Sequence, residues 1–272
     1  DLTNRFIGNN NFRIAKPLRA GGYGFVYHAL DTAVPPHIRK EYAVKCMLKA
    51  TPDHPMARRQ DREMALHAMV SHHPGVITLH RVVEQGGFLF LVMDLCKSGD
   101  MFDAVMVRQI YKNNDELLKL AFTRLIDAVE GCHERGVFHR DLKLDNILVS
   151  EDGSQVWLTD FGLATSDVMS TEYGNGTPTY MSPECTRRIP EGSFSSAASD
   201  VWSLGVILFN MITLSNPWNH TRSDDNMFKD YLCNQDFTPK YAMSDAANTL
   251  FERIFTLDPS CRISLAGLRE EV

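Results

Sequence analysis

The stretch "VFHRDLKLDNILVSEDGSQVWLTDFG", residues 137–162, constrains this chain more than any other. Its apolar segments belong inside a core, yet Asp141, Lys143, Asn146 and Asp160 sit among them. Buried charges are expensive unless each has a partner. Any fold for this sequence must therefore satisfy two carboxylates, an amine and an amide together. A divalent cation does so most simply. Asp160 and Asn146 offer hard oxygen ligands that suit magnesium, which takes a few protein oxygens together with phosphate oxygens. Asp141 is then free to accept a proton or orient a hydroxyl nucleophile, and Lys143 to neutralise a phosphoryl group in transfer. Such a set describes phosphoryl transfer, where positioning and charge neutralisation do most of the catalytic work.

The pattern around this stretch changes along the chain. The first ninety or so residues read mainly as strands. "FRIAKPLRAGGYGFVYHALD" is a hairpin joined by glycines, "EYAVKCML" is β-branched and half alternating, and "LFLVMDL" is a short apolar run of the kind buried on both faces. Between them, "MARRQDREMALHAMV" has no Gly or Pro and carries Met64, Leu66, Ala68 and Met69, which predicts a single helix. After about residue 100 the spacing turns helical. In "DELLKLAFTRLIDAVEGCHERG", Leu118, Phe122, Leu125, Val129 and Cys132 recur at helical spacing; Asn113 with Glu116 resembles a capping box, and Gly136 is a natural stop. "SDVWSLGVILFNMIT" is apolar nearly all round and predicts a core helix. "SDAANTLFERIFTLDP" predicts a helix capped by Ser244 or Asp245 that stops before Pro259.

At 272 residues, 44% hydrophobic and 23% charged, the chain is long for one core, and two lobes are expected. A net charge of −6 gives no global attraction to nucleic acid or anionic membrane. No apolar run approaches the roughly 18 residues of a membrane span, and the first residues lack a signal-peptide pattern. The ends at Asp1 and Val272, without tails, read as those of a trimmed domain. Six cysteines without CxxC spacing point to a reducing intracellular compartment rather than a zinc site or disulfide framework. Ten histidines tempt a metal reading, but "SHHPG" at 71–75 is more simply a turn.

A nucleotide substrate needs phosphate donors, and the first lobe supplies them. "RAGGYGFV" places Gly21, Gly22 and Gly24 between strands, where backbone amides can approach phosphate oxygens. Lys45 in "AVK" lies on a strand and would need an anion if buried; Glu63 on the helix that follows is a suitable partner.

With these residues in view, the sequence resembles a eukaryotic protein kinase domain over nearly its whole length. The catalytic loop corresponds to His139-Arg140-Asp141 with Lys143 and Asn146, the metal motif to Asp160-Phe161-Gly162, and the strand lysine to Lys45 with Glu63. "MSPE" corresponds to the end of the activation segment, with Arg262 placed to pair with Glu184 and Asp200 to hold the catalytic loop's backbone. The resemblance implies an α+β bilobal fold, with a small β-rich N-lobe (1–93), a hinge (94–98), a larger helical C-lobe (99–272) and an ATP cleft between them. It also implies that Val26 and Ala43 cover adenine, Leu148 lies beneath it, and the backbone of Asp94 to Cys96 binds its edge. Met93 would be the gatekeeper and Asp100 would bind the ribose hydroxyls. The catalytic set is then Asp141, Lys143, Asn146, Lys45 and Asp160, with Asn146 and Asp160 as the metal ligands. Lys143 and "GTPTYMSPE" resemble the serine/threonine class, with Thr177 in position to bond Asp141 and Lys143. ATP, Mg²⁺ and a protein serine or threonine are the implied partners, with no nucleic acid or membrane, for a monomeric catalytic domain in the cytoplasm or nucleus. "DFGLATSDVMSTEYGNGTPTYMSPEC" further resembles a group of fungal serine/threonine kinases linked to meiosis and nutrient signalling.

Two departures stand out. Arg19 occupies the place of the first glycine of the nucleotide loop, and a pseudokinase scaffold is the rival reading it supports. Retention of Lys45, Asp141, Asn146 and Asp160 argues against that rival. The usual phosphothreonine position holds Tyr173 after "MSTE". The anion for Arg140 is then either a permanent charge on Glu172 or a phosphate on Thr171 or Ser170.

Overall fold

Cross-strand pairing organises the first hundred residues. The computed structural model describes residues 2–21, 24–186, 192–237, 240, 241 and 243–272. It divides into two units, Asp1–Lys97 and Ser98–Val272.

The first unit is a six-stranded antiparallel sheet. Its strands are β1 (Phe6–Ile7), β2 (Phe12–Gly21), β3 (Gly24–Asp31), β4 (Glu41–Leu48), β5 (Leu79–Gln85) and β6 (Phe88–Asp94), in the order β1-β2-β3-β4-β6-β5. Helix α1 (Pro55–Val70) lies between β4 and β5 in sequence and packs on β5. Side chains alternate across a strand. Tyr27 and Ala29 of β3, Val44 and Cys46 of β4, and Phe90 and Val92 of β6 therefore close one core with Phe12 and Ile14. Their neighbours Val26, Ala43, Lys45, Leu91 and Met93 fall on the opposite face. The β2–β3 hairpin forms, with Gly21 opposite Gly24; Gly22 lies outside the described residues. Arg19 is a strand residue paired with Val26 beside a register shift.

Helix α1 buries a different face from the one its apolar residues suggest. Gln60, Glu63 and His67 are buried with Leu66 and Val70, while Met69 is half exposed. The polar members have partners. Gln60 bonds the backbone of Leu48 and Ala50, and His67 Nε2 bonds Ile77 O at 2.7 Å. "SHHPG" is a turn, with Val76 N donating to His73 O at 3.0 Å.

The second unit is mainly helical. It contains α2 (Asp115–His133), the hairpin β7 (Ile147–Val149) and β8 (Val156–Leu158), and the two-residue strand β9 (Met169–Ser170). These are followed by α3 (Pro183–Thr186), β10 (Phe194–Ser195), α4 (Ser196–Thr213), α5 (Asn226–Asn234), α6 (Asp245–Ile254) and α7 (Leu265–Glu271). Helix α2 packs on β8, α4 and α7. Its cap is Asn114, which accepts from Leu117 N at 3.2 Å, one residue beyond the expected Asn113; Asn113 itself has φ +57°. Ser244 caps α6. Helix α4 has 18 residues and a composition apolar enough to cross a membrane, contrary to the expectation that no stretch approaches that length, but 78% of it is buried inside the protein. Its core role explains its composition. Trp202, Trp218 and Phe255 pack with ring centroids 4.9–5.5 Å apart, and such pairs add about 0.5–1.5 kcal/mol each beyond area burial. Gly205 lets α6 approach, because a Cβ there would stand 2.3 Å from Ile254 Cγ2.

Candidate active site

Within the first unit, sheet register assembles one strip of candidate residues. Val26 lies opposite Lys45, and Ala43 opposite Met93. Alternation therefore puts Val26, Ala43, Lys45 and Met93 on a common face. Lys45 Nζ meets Glu63 Oε1 at 2.5 Å, and both side chains are buried, at 8% and 5% exposure. This is the pairing expected from the sequence, and it gives a buried ammonium its counter-charge. The backbone N–H of Asp94 donates to Thr78 O at 3.1 Å, so of the expected hinge groups this amide is already engaged. Burial raises the Asp94 carboxyl, but hydrogen bonds from His80 and Thr78 outweigh it and leave the group below the ordinary carboxylate range.

Within the second unit, β7 and β8 position the polar groups of the opening stretch. Ile147 pairs with Leu158, and the ladder extends one step, with Thr159 N donating to Asn146 O at 3.0 Å. Asn146 and Asp160 therefore emerge from the same end of one hairpin. Asp160 has φ +63°, a conformation that a non-glycine residue keeps only under close control. Asp141 Oδ1 accepts from Thr177 Oγ1 at 2.9 Å. Its Oδ2 lies 2.9 Å from Lys143 Nζ and accepts from Asn146 Nδ2 at 3.1 Å. Lys143 Nζ also donates to Thr177 Oγ1 at 2.8 Å, as expected from the sequence. Asn146 makes its side-chain bonds through Nδ2, to Asp141 O and Oδ2. The amide oxygen of Asn146 and the carboxylate of Asp160 are hard-oxygen donors of the kind magnesium takes, and are the residues that could hold such an ion. Leu148 is half-buried beside Asp100, to which it is bridged across Val149 N and Gly99 O at 3.1 Å. Asp100 Oδ1 accepts from Asp103 N at 3.0 Å, a local bond the sequence did not suggest.

A fully buried carboxylate holds this loop in place. Asp200 Oδ2 accepts from His139 N at 2.9 Å and bonds His133 Nε2 at 2.8 Å, while Oδ1 accepts from Arg140 N at 2.8 Å. Burial raises the Asp200 carboxyl; hydrogen bonding and charge from His133, with the backbone bond from Arg140, more than reverse this and lower it. Arg262 grips Glu184 through two bonds, at 2.6 and 3.1 Å, and lies 5.0 Å from the Trp202 ring centroid. Sequence reasoning anticipated Asp200 and Arg262 but missed His133. It also missed the ties that seat the segment after Thr177. Trp218 Nε1 donates to Thr179 O, Ser203 Oγ to Tyr180 O, and Thr221 Oγ1 to Met181 O. Local sequence carries no signal for partners this far apart.

A buried, hydrogen-bonded carboxylate and a paired strand lysine, on a sheet-rich unit followed by a helical one, fit the protein kinase class. A family model described as "Protein kinase domain" matches residues 12–271, and the chain belongs to that family. It is 39% identical, over 98% of its length, to "Negative regulator of sexual conjugation and meiosis" of Schizosaccharomyces pombe, covering 60% of that protein. It is 30% identical over 98% of its length to "Serine/threonine-protein kinase ksp1" of the same yeast, covering 57% of it. It is 26% identical over 97% of its length to "Serine/threonine-protein kinase SKS1" of Saccharomyces cerevisiae, covering 64% of it. The chain thus spans roughly 60% of the length of these relatives.

Proposed function

We propose that this chain is the catalytic domain of an ATP- and magnesium-dependent protein serine/threonine kinase. It is read as lobes 1–93 and 99–272 joined by 94–98. The observation that carries the reading is Asp141, whose two carboxylate oxygens are held by Thr177, Lys143 and Asn146 in one network. A carboxylate so oriented accepts the proton of an incoming serine or threonine hydroxyl as its oxygen attacks the γ-phosphorus of ATP, and ADP leaves. Lys143 offsets negative charge on the phosphoryl group in flight. Lys45, oriented by Glu63, binds the phosphates, and the backbone around Gly21, Gly22 and Gly24 approaches them. Val26, Ala43, Met93 and Leu148 contact adenine, the backbone from Asp94 to Cys96 its edge, and Asp100 the ribose. Asn146 and Asp160 would hold the Mg²⁺, which when bound neutralises and orients phosphate oxygens.

Serine/threonine specificity is supported by Lys143 bridging Asp141 and Thr177, and by the names of two of the relatives. None of the six cysteines forms a disulfide, in keeping with an intracellular setting. The test is transfer of labelled phosphate from ATP to serine or threonine of a generic protein substrate, with Asp160→Ala as the blank. Asp141→Asn lowers turnover by roughly 10²–10⁴ and leaves ATP affinity little changed. Wild-type turnover in that variant contradicts the role given to Asp141.

A further inference from the structure

Arg140, next to Asp141, has φ +64°, a backbone conformation that a long side chain keeps only when its surroundings over-determine it. Two clamps do so. Asp200 takes its backbone N–H. At the other end the guanidinium, 3% exposed, donates through Nη1 to Glu172 Oε2 at 2.8 Å and through Nη2 to Glu172 O at 2.5 Å. It also lies 5.5 Å from the centroid of the Phe194 ring. A guanidinium is always charged, so one buried here needs an anion. Glu172 is the only carboxylate paired with it among the described residues.

The segment around Glu172 is moored at every step. Ser170 is fully buried in the β9–β10 pair, and its Oγ accepts from Glu172 N at 3.2 Å. Tyr173 packs against Met181, Cys185 and Phe194, with its hydroxyl buried and without a hydrogen-bond partner among the described residues. Gly174 N donates to Cys185 O at 2.9 Å. Gly176, at φ +131°, runs so close to Arg140 that a Cβ would stand 3.2 Å from its carbonyl oxygen. The next residue is Thr177, bonded to Asp141.

We propose that Glu172 is a positioning residue. Its carboxylate, held by Arg140, is the built-in anion that keeps Thr177 and Asp141 in register, so the segment holds its catalytic placement without a phosphate. This rests on the reading of Asp141 as the kinase base. Of the two candidate acceptors beside it, Ser170 is sealed and Thr171 is exposed. A phosphate on Thr171 would add charge next to a guanidinium that is already satisfied.

The test compares untreated protein, protein stripped of phosphate by a broad phosphatase and checked by intact mass, and the variants Thr171→Ala, Glu172→Gln and Glu172→Asp. Stripped protein and Thr171→Ala keep full turnover. Glu172→Gln lowers kcat about tenfold or more, a size typical of coupled positioning groups, with KM for ATP little changed, and Glu172→Asp recovers part of the loss. Amide hydrogen exchange across 170–177 speeds up in Glu172→Gln and not in Thr171→Ala. Loss of turnover in stripped protein or in Thr171→Ala overturns the proposal, as does wild-type turnover in Glu172→Gln. Should untreated protein transfer no phosphate at all, the kinase reading fails separately. The exchange comparison then decides whether Glu172 moors the segment: unchanged exchange in Glu172→Gln overturns the mooring.

Discussion

Asp200→Asn is the sharpest probe of how the catalytic loop is held. The carboxylate accepts on both oxygens, with Arg140 N on Oδ1 and His139 N with His133 on Oδ2. An amide has one oxygen. Whichever way the substituted side chain turns, its NH₂ faces a backbone N–H that cannot accept from it. His133 can adapt by exchanging tautomers, but a main-chain donor has no such freedom. Breaking a buried charged network of this kind costs about 3–5 kcal/mol, a large fraction of the 5–15 kcal/mol that usually holds a domain together. Urea unfolding followed by tryptophan fluorescence isolates the effect, because Trp157, Trp202 and Trp218 all lie in the Ser98–Val272 unit. With a urea slope of about 3 kcal/mol/M, the midpoint falls by about 1–1.7 M. The pH dependence has a definite sign. The folded-state carboxyl is held below its ordinary value, so its contribution is complete above the unfolded pKa of about 3.9 and is lost as pH falls through the lower folded value. The gap between wild type and variant is therefore full at pH 7 and closes only in acid below about pH 4. Equal midpoints at pH 7, or a gap that already closes between pH 7 and 5, would refute the account.

Gly205→Ala forces a methyl to within 2.3 Å of Ile254 Cγ2 and 2.8 Å of Phe255 Cε1; over-packing of this kind destabilises by about 1–3 kcal/mol, seen as a lower melting temperature of the helical unit, and an unchanged melting temperature would mean that α4 and α6 separate freely. Burial pushes the Cys132 thiol up to about 12, and Cys46 and Cys185 are buried with raised values as well. Alkylation at pH 8 therefore marks the exposed Cys233 and Cys261 within minutes and reaches these three only on unfolding; mass mapping that finds Cys132 labelled in native protein contradicts the packing described.

Strands β2, β3, β4 and β6 and helices α2 and α4 were legible because each depends on spacing within a few residues, whereas β1 and β5 went unread. "EYAVKCML" coincides with β4, and the buried positions of α2 include Phe122, Leu125, Val129 and Cys132. The cap of α2 was misplaced by one residue because Asn113 and Asn114 are chemically identical, and only backbone conformation separates them: Asn113 takes a left-handed turn and Asn114 reaches Leu117. The buried face of α1 was unreadable for a different reason. Gln60 and His67 look like solvent-facing residues until their backbone partners at Leu48, Ala50 and Ile77 are known; Glu63 alone was placed, by its pairing with Lys45.

What the sequence by itself determined was the identity and order of the polar groups proposed to react, since Asp141, Lys143 and Asn146 lie within six residues. Only the tertiary structure decided how those groups are held. Asp200 reaches His133 across 67 positions, Trp218 reaches Thr179 across 39, and of the anions open to Arg140 it is Glu172 that meets it, across 32. A charge's worth depends on what surrounds it once water is removed. Chain folding sets that environment, and no local pattern of residues encodes it.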